Sequence, residues 1–185
     1  MPIDFDHEHL VRPEEIDALG HANNVSYFIW MQEAAVAHSS RQGWPTEAYQ
    51  ARGWAWLVRT HQIEYRRPAL VGESIRIRTW VADMTRYTSR RKFEMYRGTS
   101  LIARAETNWA FVDLNQGRLL PIPLEVSSAF EIVSGKTESI KLYGSDRRES
   151  LEKSPCSPET GSNPGGTEEI PSPDFAGGAA RNAGF

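Results

Sequence analysis

Asp17-Ala18-Leu19-Gly20-His21-Ala22-Asn23-Asn24-Val25-Ser26-Tyr27 places an acid, a glycine, a histidine and two asparagines directly before a long apolar run. Asn23 has the chemistry of a helix N-cap, with Asn24 as the alternative one position on. Gly20 permits a close backbone approach or a turn that other residues resist. A helix start offers free N–H groups and the positive end of a dipole, which suit an oxyanion that forms during hydrolysis. An acid held there is a candidate for hydrolytic chemistry. A capped helix after an acidic loop would account for the same residues.

The run that follows predicts a helix from about Asn24 to Arg41. Val25, Tyr27, Phe28, Ile29, Trp30, Met31, Ala34, Ala35, Val36 and Ala37 surround it almost completely. A helix that is apolar nearly all round is expected to be buried on most sides. Ser26 and Glu33, seven apart, fall on one narrow stripe. Gly43-Trp44-Pro45 ends the helix. A short strand is expected before it, from Phe5 to Val11. Four long strands are expected after it, over Trp54–Arg67, Ser74–Ala82, Tyr87–Arg97 and Leu101–Leu114, from period-two alternation between turn-forming separators. The first of these four should hold Leu57, Arg59, His61, Ile63 and Tyr65 on one face. A short helix over Leu124–Phe130 closes the folded part. One buried helix against a long antiparallel sheet is an α+β architecture. An exposed sheet edge predicts pairing between copies, a homodimer or a dimer of dimers.

Composition changes near Val133. Between Ser134 and Phe185 there are 8 Gly, 5 Pro and 8 Ser, with Tyr143, Phe175 and the final Phe185 the only aromatics. Such a stretch cannot bury enough apolar surface to offset its ordering entropy. The expected division is a folded domain over residues 1–133 and a disordered tail over 134–185. A net charge of -3 argues against a nucleic-acid partner. No apolar run approaches membrane-spanning length, so no membrane partner is expected. The single cysteine, Cys156, excludes an intrachain disulfide and fits a cytoplasmic protein. His7 and His9 share a strand face without a third ligand at metal-binding spacing, so they are read as surface residues and no metal is expected.

The motif residues Asp17, Gly20, His21, Asn23, Asn24 and Tyr27 resemble, position by position, the signature of hotdog-fold acyl-CoA thioesterases of the 4-hydroxybenzoyl-CoA thioesterase type. Glu33 matches an acid that this family often carries inside the helix. Ile63-Glu64-Tyr65-Arg66-Arg67-Pro68-Ala69 and Val112-Asp113-Leu114-Asn115-Gln116-Gly117-Arg118 resemble its second strand and turn, and its last strand. The resemblance covers roughly residues 5 to 130 and implies a long central helix wrapped by a curved antiparallel sheet of about five strands. Many relatives carry a second aspartate two positions before the motif acid; here that position is Glu15.

The implied reaction is hydrolysis of an acyl-CoA to free acid and coenzyme A, with no cofactor. Asp17 would be the general base or the nucleophile. Gly20 and His21 would present backbone N–H groups to the thioester oxygen, and Glu33 is a secondary catalytic candidate. Asn23, Asn24 and Tyr27 would shape the substrate site. The basic residues Arg86, Arg90, Arg91 and Lys92 are candidates for the phosphates of coenzyme A. Strand alternation puts Arg91 on a face with Phe93 and Met95, which leaves Arg90 and Lys92 as the solvent-side pair. Trp44, Trp54 and Trp56 cluster where the family's acyl pocket often forms, and serve equally well as core. Competing readings are an acyl-carrier-protein thioesterase, a non-catalytic acyl-CoA or lipid binder on the same fold, and an idle domain whose tail recruits a partner.

Overall fold

The computed structural model describes residues 4–133, and the expected tail lies outside the described residues. Strand β1 (Phe5–Leu10) and a 3₁₀ turn (Pro13–Glu15) lead through the motif loop to helix α1 (Asn24–Arg41). Helix α2 (Thr46–Gln50) follows. Then come β2 (Trp54–Tyr65), β3 (Ser74–Met84), β4 (Thr88–Arg97), β5 (Ser100–Asp113), β6 (Arg118–Leu119) and α3 (Leu124–Ser127). All pairings between strands are antiparallel, in the order β1-β3-β4-β5-β2, with the two-residue β6 added on β5. This curved sheet wraps α1, which is the hotdog fold that the sequence implies.

Helix α1 begins where its cap places it. The Asn23 side-chain oxygen accepts the Ser26 N–H at 2.9 Å, and this satisfies one orphan donor of the first turn. Its end is set by Gly43, whose φ of +86° takes a left-handed conformation that few other residues adopt. Tyr27, Trp30, Met31, Ala34, Ala35 and His38 recur at helical spacing and form the buried stripe. Below them lie the inner-face residues Ile75 and Ile77 of β3, Phe93 and Met95 of β4, and Ala103 and Ala105 of β5. Each large apolar side chain in this layer contributes about 1.5–3 kcal/mol through burial. A second cluster, Trp44, Tyr49, Val81, Phe111, Val126 and Phe130, sits where α2 and α3 close the end of the sheet.

Two expectations need correction. The helix is not enclosed on most sides: Val25, Ile29 and Val36 lie open on one stripe of α1. The alternation expected along β2 is also broken. Val58 pairs with Trp109 but Thr60 pairs with Asn108, so Arg59 is an extra residue in a β-bulge. An added residue exchanges the two faces. Trp56 and Val58 therefore share the inner face with His61, Ile63 and Tyr65, while Leu57 points away. The outer edge of β2 has no strand partner among the described residues.

Candidate active site

The motif loop is a short excursion between fixed points. Asp17 N–H donates to the His21 carbonyl at 3.0 Å, and Gly20 N–H donates to the Asp17 carbonyl at 3.0 Å. Ile16 and Ala22 form an isolated antiparallel bridge. Gly20 makes the reversal with a φ of +82°. Ala22 N–H donates to Ala69 O at 2.9 Å, and Asn23 N–H donates to Glu15 O at 2.9 Å. Asn23 Nδ2 reaches the same Glu15 carbonyl at 3.0 Å. Asn23 is thus fully used in fixing the loop and capping α1.

Asp17 itself is half-buried. Its Oδ1 accepts the Leu19 N–H at 2.8 Å and lies 3.8 Å from His21 Nδ1. Its second oxygen meets no donor among the described residues. Gly20 has spent its N–H inside the turn, whereas the N–H groups of His21, Asn24 and Val25 donate to no acceptor among the described residues. The free donors at the N-terminus of this 18-residue helix, on Asn24 and Val25, therefore lie three and four positions after a histidine in contact range of the acid. Donors at a helix start are of the kind that can face a developing oxyanion.

Beside the loop is a cleft of about 310 Å³ lined by His21, Ala22, Asn24, Tyr27, Tyr65, Arg66, Arg67 and Pro68. Tyr27 is at its base. The Tyr27 hydroxyl accepts the Ala69 N–H at 3.2 Å, and its ring packs on Trp30 and edge-on to Tyr65. Burial pushes the phenol pKa up. Tyr65 reaches the Asn24 carbonyl at 3.5 Å. Arg66 and Arg67 at the rim are exposed, and Arg66 contacts Glu64 at 3.0 Å. The sequence placed these two arginines at the end of a strand and gave them no role at the site; the strand ends at Tyr65.

Glu15 is the residue whose weight the sequence hid. It is buried, and its carboxylate collects four donors. Oε2 accepts the Arg12 N–H at 2.8 Å and His9 Nε2 at 2.9 Å; Oε1 accepts Trp30 Nε1 at 2.9 Å and Arg12 Nη2 at 3.2 Å. Burial opposes its ionisation. The Arg12 N–H, Trp30, His9 and the Arg12 guanidinium outweigh burial and hold its pKa down at about 2. His9 is consequently not a surface residue: it is buried against Trp30, with Nδ1 3.8 Å from Glu33. Glu33 stands on the open side of α1 and meets this network through His9 and through the charge of Arg12. Ser26, on the same stripe, is buried beside Asn23 and the Glu15 carbonyl.

The basic residues of β4 do not form one surface. Arg90 and Lys92 lie on the outer face. Arg90 is 3.9 Å from Asp83 and 3.9 Å from Glu106, and Lys92 is 3.9 Å from Glu106. Arg91 lies on the inner face, buried with Phe93 and Met95. No group of three or more potential metal ligands occurs among the described residues. No helix among them is long and apolar enough to cross a membrane.

The fold and the site geometry define a class that comparison with known proteins identifies. A family model described as the thioesterase-like superfamily matches residues 11–130. The chain belongs to this superfamily, a family of thioester hydrolases. No curated protein matches it by sequence. Among solved structures it is similar to a 1,4-dihydroxy-2-naphthoyl-CoA thioesterase from Synechocystis, with 19% identity, 68% of this chain and 94% of that one covered, and a TM-score of 0.64. A hypothetical protein from Thermus thermophilus matches at 25% identity over 68% of this chain and 95% of its own, with a TM-score of 0.65. A Staphylococcus aureus protein described in complex with CoA matches at 12% identity over 76% of this chain and 96% of its own, with a TM-score of 0.67.

Proposed function

We propose that the protein hydrolyses an acyl-CoA thioester, with Asp17 as the reacting carboxylate. The observation that carries this reading is an accessible oxygen on Asp17, whose other oxygen lies 3.8 Å from His21, in a short clamped loop that runs directly into the free N–H groups at the start of α1. The thioester carbonyl oxygen faces those N–H groups. The carbonyl carbon is attacked by a water that Asp17 deprotonates, or by Asp17 Oδ2 itself. The carbon–sulfur bond then breaks. On the first route the proton taken up by Asp17 passes to the leaving thiolate; on the second a water hydrolyses the mixed anhydride, which frees the acid, regenerates Asp17 and supplies the thiol's proton. His21, 3.8 Å from Asp17, orients the carboxylate. The named neighbour from Synechocystis and the CoA-bound one from Staphylococcus aureus support CoA over an acyl-carrier protein as the thiol half.

Arg66 and Arg67 fit the phosphates better than the residues of β4, because they flank the cleft that contains His21 and Asn24. Arg90 and Lys92 project from the opposite face of the sheet and already face Glu106.

The site is completed by a second copy. Antiparallel pairing of two β2 edges about their centre, near Arg59 and Thr60, sets Trp54–Trp56 of one copy across from Ile63–Tyr65 of the other. The open stripe Val25, Ile29 and Val36 on α1 and the exposed Leu57 and Val58 on β2 supply apolar surface for that contact. A thiol-release assay on acyl-CoA and acyl-carrier thioesters tests the activity. Single-turnover hydrolysis in labelled water separates the two roles of Asp17: a general base puts the label straight into the product acid, whereas a nucleophile whose anhydride is opened at the Asp17 carbonyl passes on an unlabelled oxygen and takes the label into the protein. Absence of thiol release from every thioester tried would overturn the reading.

A further inference from the structure

A second cavity of about 310 Å³ lies under the C-terminal half of α1, between that helix, α2, the start of β2 and the inner face of the sheet. Its walls are aromatic: Trp44, Tyr49, Trp54, Trp56 and Phe130 are among the lining residues. Space of this size holds about ten water molecules at roughly 30 Å³ each, enough for a ring with a substituent. Into this apolar chamber projects Arg91, itself only 7% exposed.

A buried guanidinium is ordinarily paired with a carboxylate. Arg91 has no such partner among the described residues. Its Nη1 donates to His38 Nδ1 at 2.7 Å and to Thr79 Oγ1 at 3.4 Å, and its charge lies 5.9 Å from the centre of the Phe130 ring. All three neighbours are uncharged. Burial, with Arg91 and Arg41 nearby, holds the His38 pKa down at about 4, so the imidazole accepts from Arg91 without sharing its charge. His38 Nε2 in turn faces the Gln42 side-chain amide at 3.3 Å. Burial lowers the Arg91 pKa to about 10, which still leaves the group cationic at neutral pH. The remaining guanidinium N–H groups have no protein acceptor among the described residues, and the residue lines the cavity. The chamber therefore offers an uncompensated positive charge behind flat aromatic walls.

We propose that this cavity receives the acyl half of the substrate, and that the acyl group is an aromatic one ending in a carboxylate that pairs with Arg91. The aromatic walls favour a flat ring through stacking and edge contacts. A phenol is uncharged at neutral pH and leaves the guanidinium uncompensated; a carboxylate neutralises it with two parallel N–H···O bonds. Access follows from the two-copy arrangement proposed above, in which Trp54–Trp56, part of the cavity wall of one copy, lie across from Ile63–Tyr65 beside the motif cleft of the other. The assignment rests on the hydrolase reading above for its chemistry, but not for its binding.

The test compares 4-carboxybenzoyl-CoA with 4-methylbenzoyl-CoA, which has nearly the same shape and no charge. The native protein is expected to favour the carboxylate in kcat/KM by about 10- to 100-fold, the usual worth of a charged hydrogen-bonded contact. In Arg91→Met the ratio falls to about one. Free terephthalate is the independent probe. It should saturably quench tryptophan fluorescence in the native protein and fail to do so in Arg91→Met. Equal kcat/KM for the two thioesters, or no saturable binding of terephthalate, overturns the assignment while leaving the hydrolase reading intact. Arg91-dependent terephthalate binding without cleavage of any thioester sinks the hydrolase reading and leaves the pocket standing. If Arg91→Met does not fold, the native protein's selectivity and its terephthalate titration decide the matter alone.

Discussion

Replacing Glu15 by Gln keeps the length and shape of the side chain and removes its charge. The four donors on Glu15 come from β1, the 3₁₀ turn and α1, so the change weakens the joint between three elements. Its size follows from proton linkage. The Glu15 pKa falls from an ordinary 4.5 to about 2 in the folded protein. At about 1.4 kcal/mol per pH unit this amounts to about 3 kcal/mol. The folded value is the lower one, so this stability is fully present above about pH 5 and is lost as pH falls toward 2. For a domain of this size we expect a fall in Tm of about 10 °C at pH 7. Thermal melts followed by circular dichroism, at fixed protein concentration and several pH values, give the gap between native protein and Glu15→Gln. The gap should be widest at pH 7 and close steadily below pH 4.5. A gap under about 0.5 kcal/mol at pH 7, within the range of an ordinary surface substitution, would refute the reasoning. So would a gap that stays constant down to pH 3.

Asp17→Asn should lower kcat by roughly 10²-fold or more while leaving the melting curve unchanged; a folded, fully active variant removes Asp17 from the chemistry. Glu33→Gln should cost less than Asp17→Asn in the same assay, and the reverse order would move the chemistry to the helix. Arg66→Gln and Arg67→Gln should raise KM for acyl-CoA with kcat nearly unchanged, an effect that added salt mimics. Equal effects at Arg90 and Lys92 would return the phosphates to β4. Light scattering at micromolar concentration should give a dimer or a multiple of one, and a monomer would refute the two-copy site.

Much of the architecture was readable because local and global signals agree. Alternation holds along β3 from Ile75 to Val81 and along β5 from Ala103 to Phe111, so these residues sit on the inner face as expected. A register shift at Ile102 takes Leu101, also expected on that face, out of the series. The helix boundaries came from Asn23 and Gly43, whose side-chain and backbone chemistry is local. What failed was non-local. A bulge at Arg59 leaves no mark on composition, because the residue is left out of pairing by curvature of the whole sheet. The open stripe on α1 looked like core because apolar composition alone does not say which side of a helix faces the sheet. Glu15 read as a substituted aspartate, since its donors come from residues six before, three before and fifteen after it. Period two separated Arg91 from Arg90 and Lys92 and put it with Phe93 and Met95, as the structure does, but it did not reveal that no carboxylate pairs with it among the described residues.

The motif loop has one further consequence. Both its feet are clamped: Glu15 ties one foot to β1 and α1, and Ala22 hangs the other on the Ala69 carbonyl. Between them only a few residues are free to move, and the acid sits next to the first foot. The position of Asp17 is thereby surveyed from three distant landmarks rather than from its own surroundings. Small shifts at Trp30 or Ala69, neither of which could touch a substrate carbonyl, are transmitted along short stiff tethers to the carboxylate. A displacement of 1 Å at a reacting group can cost about 10²-fold in rate. Conservative changes in the core beneath this loop should therefore show themselves in turnover before they show themselves in melting temperature.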